Sequence, residues 1–259
     1  MTLVVTDAVV LHSFDYLESS RILRLATREA GLQSVLARGA RRPKSRFGGG
    51  LDLFTEGTAH ISVRPGRDLQ TLTGFDIVRR RGALAEDLDR FAGANALAEM
   101  VLRFAGDDAA SDLFDTLVST LDAIGSSSAG RSAEAAMAGA WRVVADLGFA
   151  PALDACAACH EALDPAAPSR FSHASGGALC PRCGAGGGSD RVLPPAARAM
   201  LASWMSGEPH DVLSGAELRA HQRLLREFLH WHLSDGRELR AYAMWEQTTN
   251  DTTHCAKGR

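Results

Sequence analysis

Residues 20–38 read SRILRLATREAGLQSVLAR, and this stretch decides how the first third of the chain folds. Its first half alternates polar and apolar side chains, as in Arg21, Arg24 and Leu25, which is typical of a half-buried β-strand. Glu29-Ala30-Gly31 then predicts a tight turn. Residues 32–38 predict the next strand, so the stretch is interpreted as two strands joined by a tight turn.

The sequence on both sides of this pair predicts three more strands. Residues 3–16 are rich in β-branched side chains, and residues 53–63 and 69–78 are separated by a Pro-Gly turn at Arg64–Arg67. Five short strands within about 80 residues indicate a small closed sheet. We expect a five-stranded OB-type β-barrel, while an SH3-like barrel fits the strand count almost as well.

The apolar spacing changes from the strand period to the helix period after Gly82. Leu113, Leu117, Leu121 and Ile124 show the new spacing clearly. The predicted fold class is therefore α+β, an OB-type barrel followed by an all-helical domain. The predicted boundaries are 1–82 for the barrel, 83–246 for the helical domain, about 152–190 for a cysteine-bearing insertion within it, and 247–259 for a flexible tail.

The formal net charge of −3 conceals an uneven distribution. Residues 1–82 carry 13 Lys/Arg against 8 Asp/Glu, whereas residues 83–125 carry 2 against 9. A basic block joined to an acidic block suggests two modules with different partners. Arg79, Arg80 and Arg81 form a second basic cluster at the end of the first block.

The densest basic stretch is the segment 38–46, called here the basic loop. No acid interrupts its cations, and it connects two predicted strands, where ligand-binding loops of OB-folds lie. Arg24, on the neighbouring strand, is expected to extend the same surface. The alternative is an ordinary solvated loop. The predicted DNA-contacting residues are Arg24, Arg38, Arg41, Arg42, Lys44 and Arg46.

Aromatic side chains near the basic loop bear on how it would hold a nucleic acid. Phe47 is the aromatic residue within reach of the loop for base stacking, whereas Phe14, Tyr16, Phe54 and Phe75 are expected in the core. With few stacking platforms, we expect weak sequence preference and binding that falls steeply with salt.

Four of the five cysteines form two C-x-x-C pairs, Cys156/Cys159 and Cys180/Cys183, separated by 20 residues. This spacing is typical of a four-thiolate zinc site. His160 and His173 lie within the segment as less favoured ligands. A C-x-x-C pair without a preceding H-x-E motif does not match a zinc deaminase, so the predicted Zn²⁺ is structural.

Motifs of other enzyme classes do not occur: there is no P-loop, no G-x-S-x-G and no H-E-x-x-H. We therefore expect a protein that is not an enzyme. The sequence also offers neither an apolar run long enough for a bilayer nor a signal peptide, so a cytoplasmic location without a membrane partner is expected.

Three stretches together resemble the N-terminal domain of the RecO recombination mediators: AVVLHSFDYLESSRI at 8–22, ARGARRPKSRFGG at 37–49 and LDLFTE at 51–56. The order of a helical domain, a C-x-x-C pair insertion and final helices also agrees. The resemblance implies an N-terminal OB-fold, a helical domain and a zinc site.

The same resemblance implies a role in DNA repair and recombination. It implies binding of single- and double-stranded DNA, strand annealing, contact with the C-terminal tail of single-stranded-DNA-binding protein, and partnership with RecR to help load RecA. Such a protein would be cytoplasmic and nucleoid-associated. An RNA-binding OB-fold with a zinc ribbon is the alternative.

Overall fold

The computed structural model describes residues 2–47, 50–106, 111–128, 130–186, 191–208, 213–233 and 237–256. Its first part is a closed five-stranded barrel in the order β1-β2-β3-β5-β4. Strand β3 runs parallel to β5, and the other neighbouring strands are antiparallel. This order is that of an OB-fold and confirms the predicted fold class. The strands are β1 (Thr2–Tyr16), β2 (Ser20–Thr27), β3 (Gly31–Ala37), β4 (Glu56–Val63) and β5 (Leu69–Arg79).

Strand β1 closes the barrel because it is long enough to pair with two neighbours. Thr2 to Val9 pair with β4, and Ala8 to Tyr16 pair with β2. The pairing with β2 is interrupted by a bulge between Val10 and His12. A bulge adds one residue to one strand, so the side chains beyond it change face. The inward-facing residues fill the barrel core, which includes Ala8, Val10, Leu23, Leu25, Val35, Ile61 and Leu72.

The segment between β3 and β4 is attached to the barrel by apolar side chains that follow the basic loop. Phe47 and Leu51 are buried in the barrel core, with Ala40 packed against them. Strand β4 begins at Glu56, later than the predicted residue 53, because Phe54 adopts a positive φ of 63° that ends the extended conformation. The buried Phe54 instead joins the core between the two domains.

Within the described ranges, six α-helices make up most of the second domain. Asp87 caps the first by accepting a hydrogen bond from the backbone N–H of Arg90 at 2.9 Å, and Glu99 accepts three bonds from the first backbone amides of the last helix. Such caps satisfy N–H groups that lack a partner in the helix. The helices are α1 (Leu88–Phe104), α2 (Ser111–Ser126), α3 (Ser132–Asp146), α4 (Pro195–Ser206), α5 (Gly215–His232) and α6 (Arg240–Ala256).

Helix α6 corrects one prediction. The segment from 247 is helical through Ala256, so it is not a separate tail over that range, and 257–259 lie outside the described residues. The buried Tyr242 and Trp245 hold the first half of α6, and α1 provides most of its contacts. Burial of such large rings offsets the polar composition that made the segment look frayed.

The insertion between α3 and α4 contains a small three-stranded sheet in the order β7-β6-β8. Its Phe171 is buried against Phe228 of α5, with the ring centroids 6.0 Å apart. The insertion is therefore packed onto the helical core, although residues 187–190 of the predicted range lie outside the described part of the chain. The strands are β6 (Ser169–Ser172), β7 (Gly177–Leu179) and β8 (Arg191–Leu193).

The barrel and the helices share one apolar core. Val9, Leu11 and Leu32 of the barrel belong to the same cluster as Leu117 and Val101 of the helical domain. The outer face of β1 and β2 on this side is thus covered, and the basic loop lies at the other end of these strands.

Candidate DNA-binding surface and metal centre

The basic loop presents its five cations to solvent. It begins where β3 ends and is tied to the turn between β1 and β2: the backbone N–H of Arg41 donates to the carbonyl of Ser19 at 3.0 Å. Gly39, with a φ of +70°, makes the turn that starts the loop. The exposed side chains are Arg38, Arg41, Arg42, Lys44 and Arg46.

Internal contacts use little of this charge. Arg41 forms an ion pair with Asp15 at 3.2 Å. Arg46 donates to the carbonyl of Thr73 at 3.3 Å, and its guanidinium lies 5.4 Å from the centre of the Phe47 ring. Among the residues that the structure describes, Arg41 is the only loop cation in an ion pair, so the loop keeps a net positive charge.

Arg24 lies on the outer face of β2, opposite His12 of β1 and Ser34 of β3. It is half-buried, and its Nε is buried without a hydrogen-bond partner in the described part of the chain. It lies on the barrel face next to the basic loop but is less accessible than the loop cations.

The prediction for the aromatic residues was partly wrong. Phe47 is 2% exposed and fills the barrel core, so it is not available for base stacking. Phe14 and Tyr16, expected in the core, are 43% and 40% exposed. The bulge in β1 is the reason, because it turns the second half of the strand over. Phe54 and Phe75 are buried as expected.

The second basic cluster belongs to the seam between barrel and helices, a role that its sequence alone does not indicate. Arg81 is only 4% exposed at its side chain and binds Glu56 at 2.6 Å and Asp122 of α2 at 2.7 Å. Arg79 also pairs with Asp122. Although desolvation opposes the shift, hydrogen bonds from Arg81 and Arg79 lower the pKa of Asp122. These arginines hold the two domains together.

Arg28, just after β2, makes a further contact across this seam. Its guanidinium binds Asp115 of α2 at 2.8 Å and Asp7 of β1 at 3.4 Å. The hydrogen bond from Arg28 lowers the pKa of Asp115. Part of the acidic charge of residues 83–125 therefore neutralises barrel arginines. Asp115 and Asp122 are seven residues apart, so they lie on the same side of α2. This spacing was the feature of the sequence that could have indicated contacts between α2 and the barrel arginines.

The four cysteines of the insertion converge. Their sulfur atoms all lie within 4.8 Å of one another, and the Sγ atoms of Cys159 and Cys180 are 3.8 Å apart. A disulfide requires about 2.05 Å. A tetrahedral ion with metal–sulfur bonds of about 2.3 Å separates its sulfurs by about 3.8 Å. The four sulfurs could therefore hold a metal ion.

The sulfurs differ in how readily they ionise. Although burial opposes ionisation, backbone N–H donors of Cys180, Cys159 and Ala158 lower the pKa of Cys156 to about 6. Hydrogen bonds with the sulfurs of Cys180 and Cys159 raise the pKa of Cys183 to about 12. A cation among the sulfurs would favour the thiolate form of all four, because it offsets the repulsion between like charges.

The two histidines of the insertion are not part of the cluster among the described residues. His160 occupies the turn after the first pair with a φ of 62°. His173 bonds Glu227 of α5 at 3.1 Å, and burial lowers its pKa. Glu227 also binds Arg191, so these side chains fasten the insertion to α5.

Two grooves open beside α5. One, of about 900 Å³, has apolar walls from α4 and α5, including Met200 and Leu224, and is also lined by Arg191, Arg223 and Glu217. Burial lowers the pKa of His221 in this groove to about 4. The other, of about 740 Å³, contains Arg226, which is paired with Glu246 at 2.7 Å. Arg223 is therefore less committed than Arg226.

Two family models match the chain. Recombination protein O N terminal matches residues 1–81, and Recombination protein O C terminal matches residues 85–241. Together they span the barrel, the seam, the cysteine insertion and most of the helices.

The chain belongs to the RecO family.

Curated RecO relatives support this assignment over most of the chain. A DNA repair protein RecO of Anaeromyxobacter sp. (strain K) is 38% identical over 247 residues, covering 90% of this chain and 92% of the relative. The DNA repair protein RecO of Myxococcus xanthus (strain DK1622) is 34% identical and covers 95% and 98% of the two chains. That of Geobacter sulfurreducens is 37% identical over 179 residues, covering 69% and 72%.

Crossing a bilayer requires a helix of about 20 predominantly apolar residues. Within the described ranges, no helix of this RecO family member combines the length and the apolar character needed to cross a membrane.

Proposed function

We propose that this RecO family member is a non-enzymatic, DNA-binding recombination mediator in DNA repair and homologous recombination. The observation that carries the proposal is the charge of the basic loop. Its five cations are exposed, and only Arg41 forms an ion pair with another described residue. Arginine suits phosphate because its planar guanidinium donates paired hydrogen bonds. Since phosphates are common to both forms, the loop binds single- and double-stranded DNA and brings strands together for annealing.

The proposed DNA contacts are Arg38, Arg41, Arg42, Lys44 and Arg46, with Arg24 at the edge of the surface. The first five share one end of the barrel and are exposed. The loop backbone is fixed to the barrel by the buried Phe47 and Leu51, so its cations are presented from a supported segment. Preorganised cations lose less conformational entropy on binding than cations of a free chain.

The DNA proposal is tested with Arg41→Ala/Arg42→Ala and oligonucleotides of matched length as single-stranded DNA, duplex DNA and RNA. We expect weaker binding of both DNA forms, with the affinity for single strands changing less steeply with salt by about 0.7 per lost contact in the log–log slope. Arg219→Ala/Arg223→Ala on α5 removes the same charge and should leave DNA affinity unchanged. Equal losses of DNA affinity in both variants would refute the assignment of the DNA contacts to the basic loop. Stronger binding of RNA than of DNA would favour the RNA-binding alternative.

The helical domain is the proposed site for protein partners. The partners are RecR, with which the protein helps load RecA, and the acidic C-terminal tail of single-stranded-DNA-binding protein. The 900 Å³ groove combines apolar walls with two cations, Arg191 and Arg223, against one acid, Glu217. Apolar surface with an excess of cations is what an acidic peptide requires. We assign the tail to this groove.

This assignment is tested with the isolated tail peptide. Arg223→Glu should abolish its binding in a titration because it places a like charge beside the peptide. The same peptide should bind the Arg41→Ala/Arg42→Ala variant as it binds the original protein. Retained binding by Arg223→Glu would exclude the groove, whereas failure of the original protein to bind would exclude the tail as a partner.

The metal of the cysteine cluster is proposed to be a structural Zn²⁺ held by Cys156, Cys159, Cys180 and Cys183. Zinc supplies no redox chemistry and accepts a closed tetrahedron of thiolates, which suits a site for stability. Metal analysis of the purified protein should find one zinc per chain, and Cys156→Ser should lower the melting temperature. A stoichiometry near zero with unchanged stability of Cys156→Ser would refute this.

We further propose that the protein works in the cytoplasm, associated with the nucleoid, and without a membrane partner. Chromosomal DNA, the proposed binding partner, lies in the nucleoid. A fluorescent fusion should follow the nucleoid and redistribute on DNA damage. A diffuse signal that ignores DNA would contradict this location.

A further inference from the structure

The second half of β1 carries three exposed rings on one face. His12, Phe14 and Tyr16 alternate along the strand, and alternate residues of a strand share a face. The rings of His12 and Phe14 are in edge contact at 5.5 Å between centroids. Phe14 and Tyr16 keep 43% and 40% of their surface exposed. These three residues are called here the aromatic strip.

The strip faces outward because of the bulge in β1. Before the bulge, Val10 lies opposite Leu25, and both point into the barrel. After it, His12 lies opposite Arg24, which is on the outer face. Without the extra residue, His12, Phe14 and Tyr16 would continue the inward face of Val10. Bulges are retained features that redirect side chains, often next to functional sites.

The neighbouring strands give the strip a partly apolar floor. Phe14 lies opposite Ile22 of β2, which in turn lies opposite Leu36 of β3. Ile22 and Leu36 are both half-buried. Arg24 adds a cation beside His12. Flat apolar surface next to a guanidinium is the combination on which a nucleobase stacks.

The aromatic strip is continuous with the basic loop. Tyr16 lies opposite Ser20, whose hydroxyl accepts a hydrogen bond from the backbone N–H of Gly39 at 3.4 Å. A strand of nucleic acid whose phosphates follow the loop therefore passes its bases over the strip.

We propose that the aromatic strip stacks the unpaired bases of single-stranded DNA and so distinguishes single strands from duplex. The proposal rests on the proposed function, because the basic loop must hold the backbone. Bases in a duplex are stacked on one another and hidden from the strip, whereas each unpaired base exposes a ring face. The loop thus binds either form, and the strip adds affinity for one of them.

The test combines a protein variant with a ligand variant. Phe14→Ala/Tyr16→Ala and the original protein are titrated with oligothymidine, with an abasic oligonucleotide of the same length, and with duplex. We expect the variant to lose affinity for oligothymidine by about tenfold per ring. Its affinity for abasic DNA and for duplex should not change, and neither should its salt slope. The original protein itself should prefer oligothymidine to abasic DNA.

The matched control is Leu3→Ala/Val5→Ala in the first half of the same strand, where the two side chains are 60% and 51% exposed. It should leave all three affinities unchanged. If Phe14→Ala/Tyr16→Ala lost affinity equally for all three ligands, or lost none for oligothymidine, base stacking on the aromatic strip would be refuted. The proposal that the basic loop binds DNA would still stand. An original protein that binds none of the three would overturn the proposed function as well. The abasic comparison in the original protein needs no substitution, so misfolding cannot obscure it.

Discussion

The basic loop and the seam between barrel and helices use the same residue type for opposite purposes. Arg42 and Arg38 of the loop are exposed. Arg81 of the seam is buried between Glu56 and Asp122. Both groups come from short basic clusters that look alike in the sequence. Whether an arginine serves a partner or the fold depends on whether another element buries it against a carboxylate. A buried pair is costly to break, whereas an exposed pair such as Arg41 with Asp15 is weak and leaves the guanidinium accessible to a phosphate.

The largest effect is expected from Arg81→Met. The substitution removes the ion pair of Arg81 with Glu56 and one of the two ion pairs of Asp122. The side chain of Arg81 is only 4% exposed, so both carboxylates lose a buried partner. Breaking a buried pair on one side costs about 3–5 kcal/mol of unfolding free energy. Urea unfolding measures this loss, and DNA affinity at a temperature where the variant is folded should be unchanged.

Arg42→Met is the matched control in the loop. It should change the unfolding free energy by no more than about 0.5 kcal/mol, as is usual for exposed side chains. If Arg81→Met instead weakened DNA binding while leaving stability intact, the contrast between seam and loop would collapse.

The second-largest effect is expected in the basic loop, where substitutions should lower DNA affinity and leave stability unchanged. Removing two phosphate contacts with Arg41→Ala/Arg42→Ala should reduce single-strand affinity by about 25-fold near 0.1 M salt. The unfolding free energy should stay close to that of the original protein. Fluorescence anisotropy titrations and urea unfolding on the same samples provide both numbers. A stability loss as large as the one at Arg81 would mean that the loop has a structural role.

The next prediction concerns the pH dependence of the seam, whose ion pairs contribute to the unfolding free energy. The pKa of Asp122 is lowered in the folded protein, so its pairing stabilises the fold above the unfolded pKa of about 3.9 and is lost as pH falls through the lower folded value. His221 acts in a different window: with a folded pKa of about 4, it favours unfolding as pH falls from about 6.5. The seam is therefore followed in the His221→Gln background.

Unfolding free energies from pH 7 to pH 3 give the result. His221→Gln should remove a loss of about 2 kcal/mol between pH 7 and pH 5. The loss that remains below about pH 4 should shrink further when Asp122→Asn is added. A profile below pH 4 that is indifferent to Asp122→Asn would show that the seam does not titrate as proposed.

The smallest effect is expected at the exposed edge of the seam. Arg28 and Asp115 are 32% and 59% exposed at their side chains. Exposed pairs contribute at most about 1 kcal/mol. Asp115→Asn should therefore cost far less than Arg81→Met, and high salt should erase the difference from the original protein. A cost comparable with that of Arg81→Met would show that burial does not rank these pairs.

Much of the fold could be predicted because it depends on local pattern. The alternation in 20–38 and the Pro-Gly turn placed the five strands to within a few residues, and strand order 1-2-3-5-4 agrees with the expected OB-type barrel. The spacing of the cysteines predicted a four-sulfur cluster, and the four sulfurs do converge. Where prediction failed, at Phe47, Phe14 and the helix past 247, the outcome depended on contacts distant in sequence.

The sequence by itself determined the periodicities, the two C-x-x-C pairs and the position of the basic loop, since each follows from the order of neighbouring residues. Only the tertiary structure decided which arginines stay free, because Asp122 approaches Arg79 and Arg81 through the packing of α2 on the barrel. It also decided that Phe14 and Tyr16 face solvent. A single bulged residue, Leu11, which has no partner in β2, reverses the face of the side chains that follow it in β1.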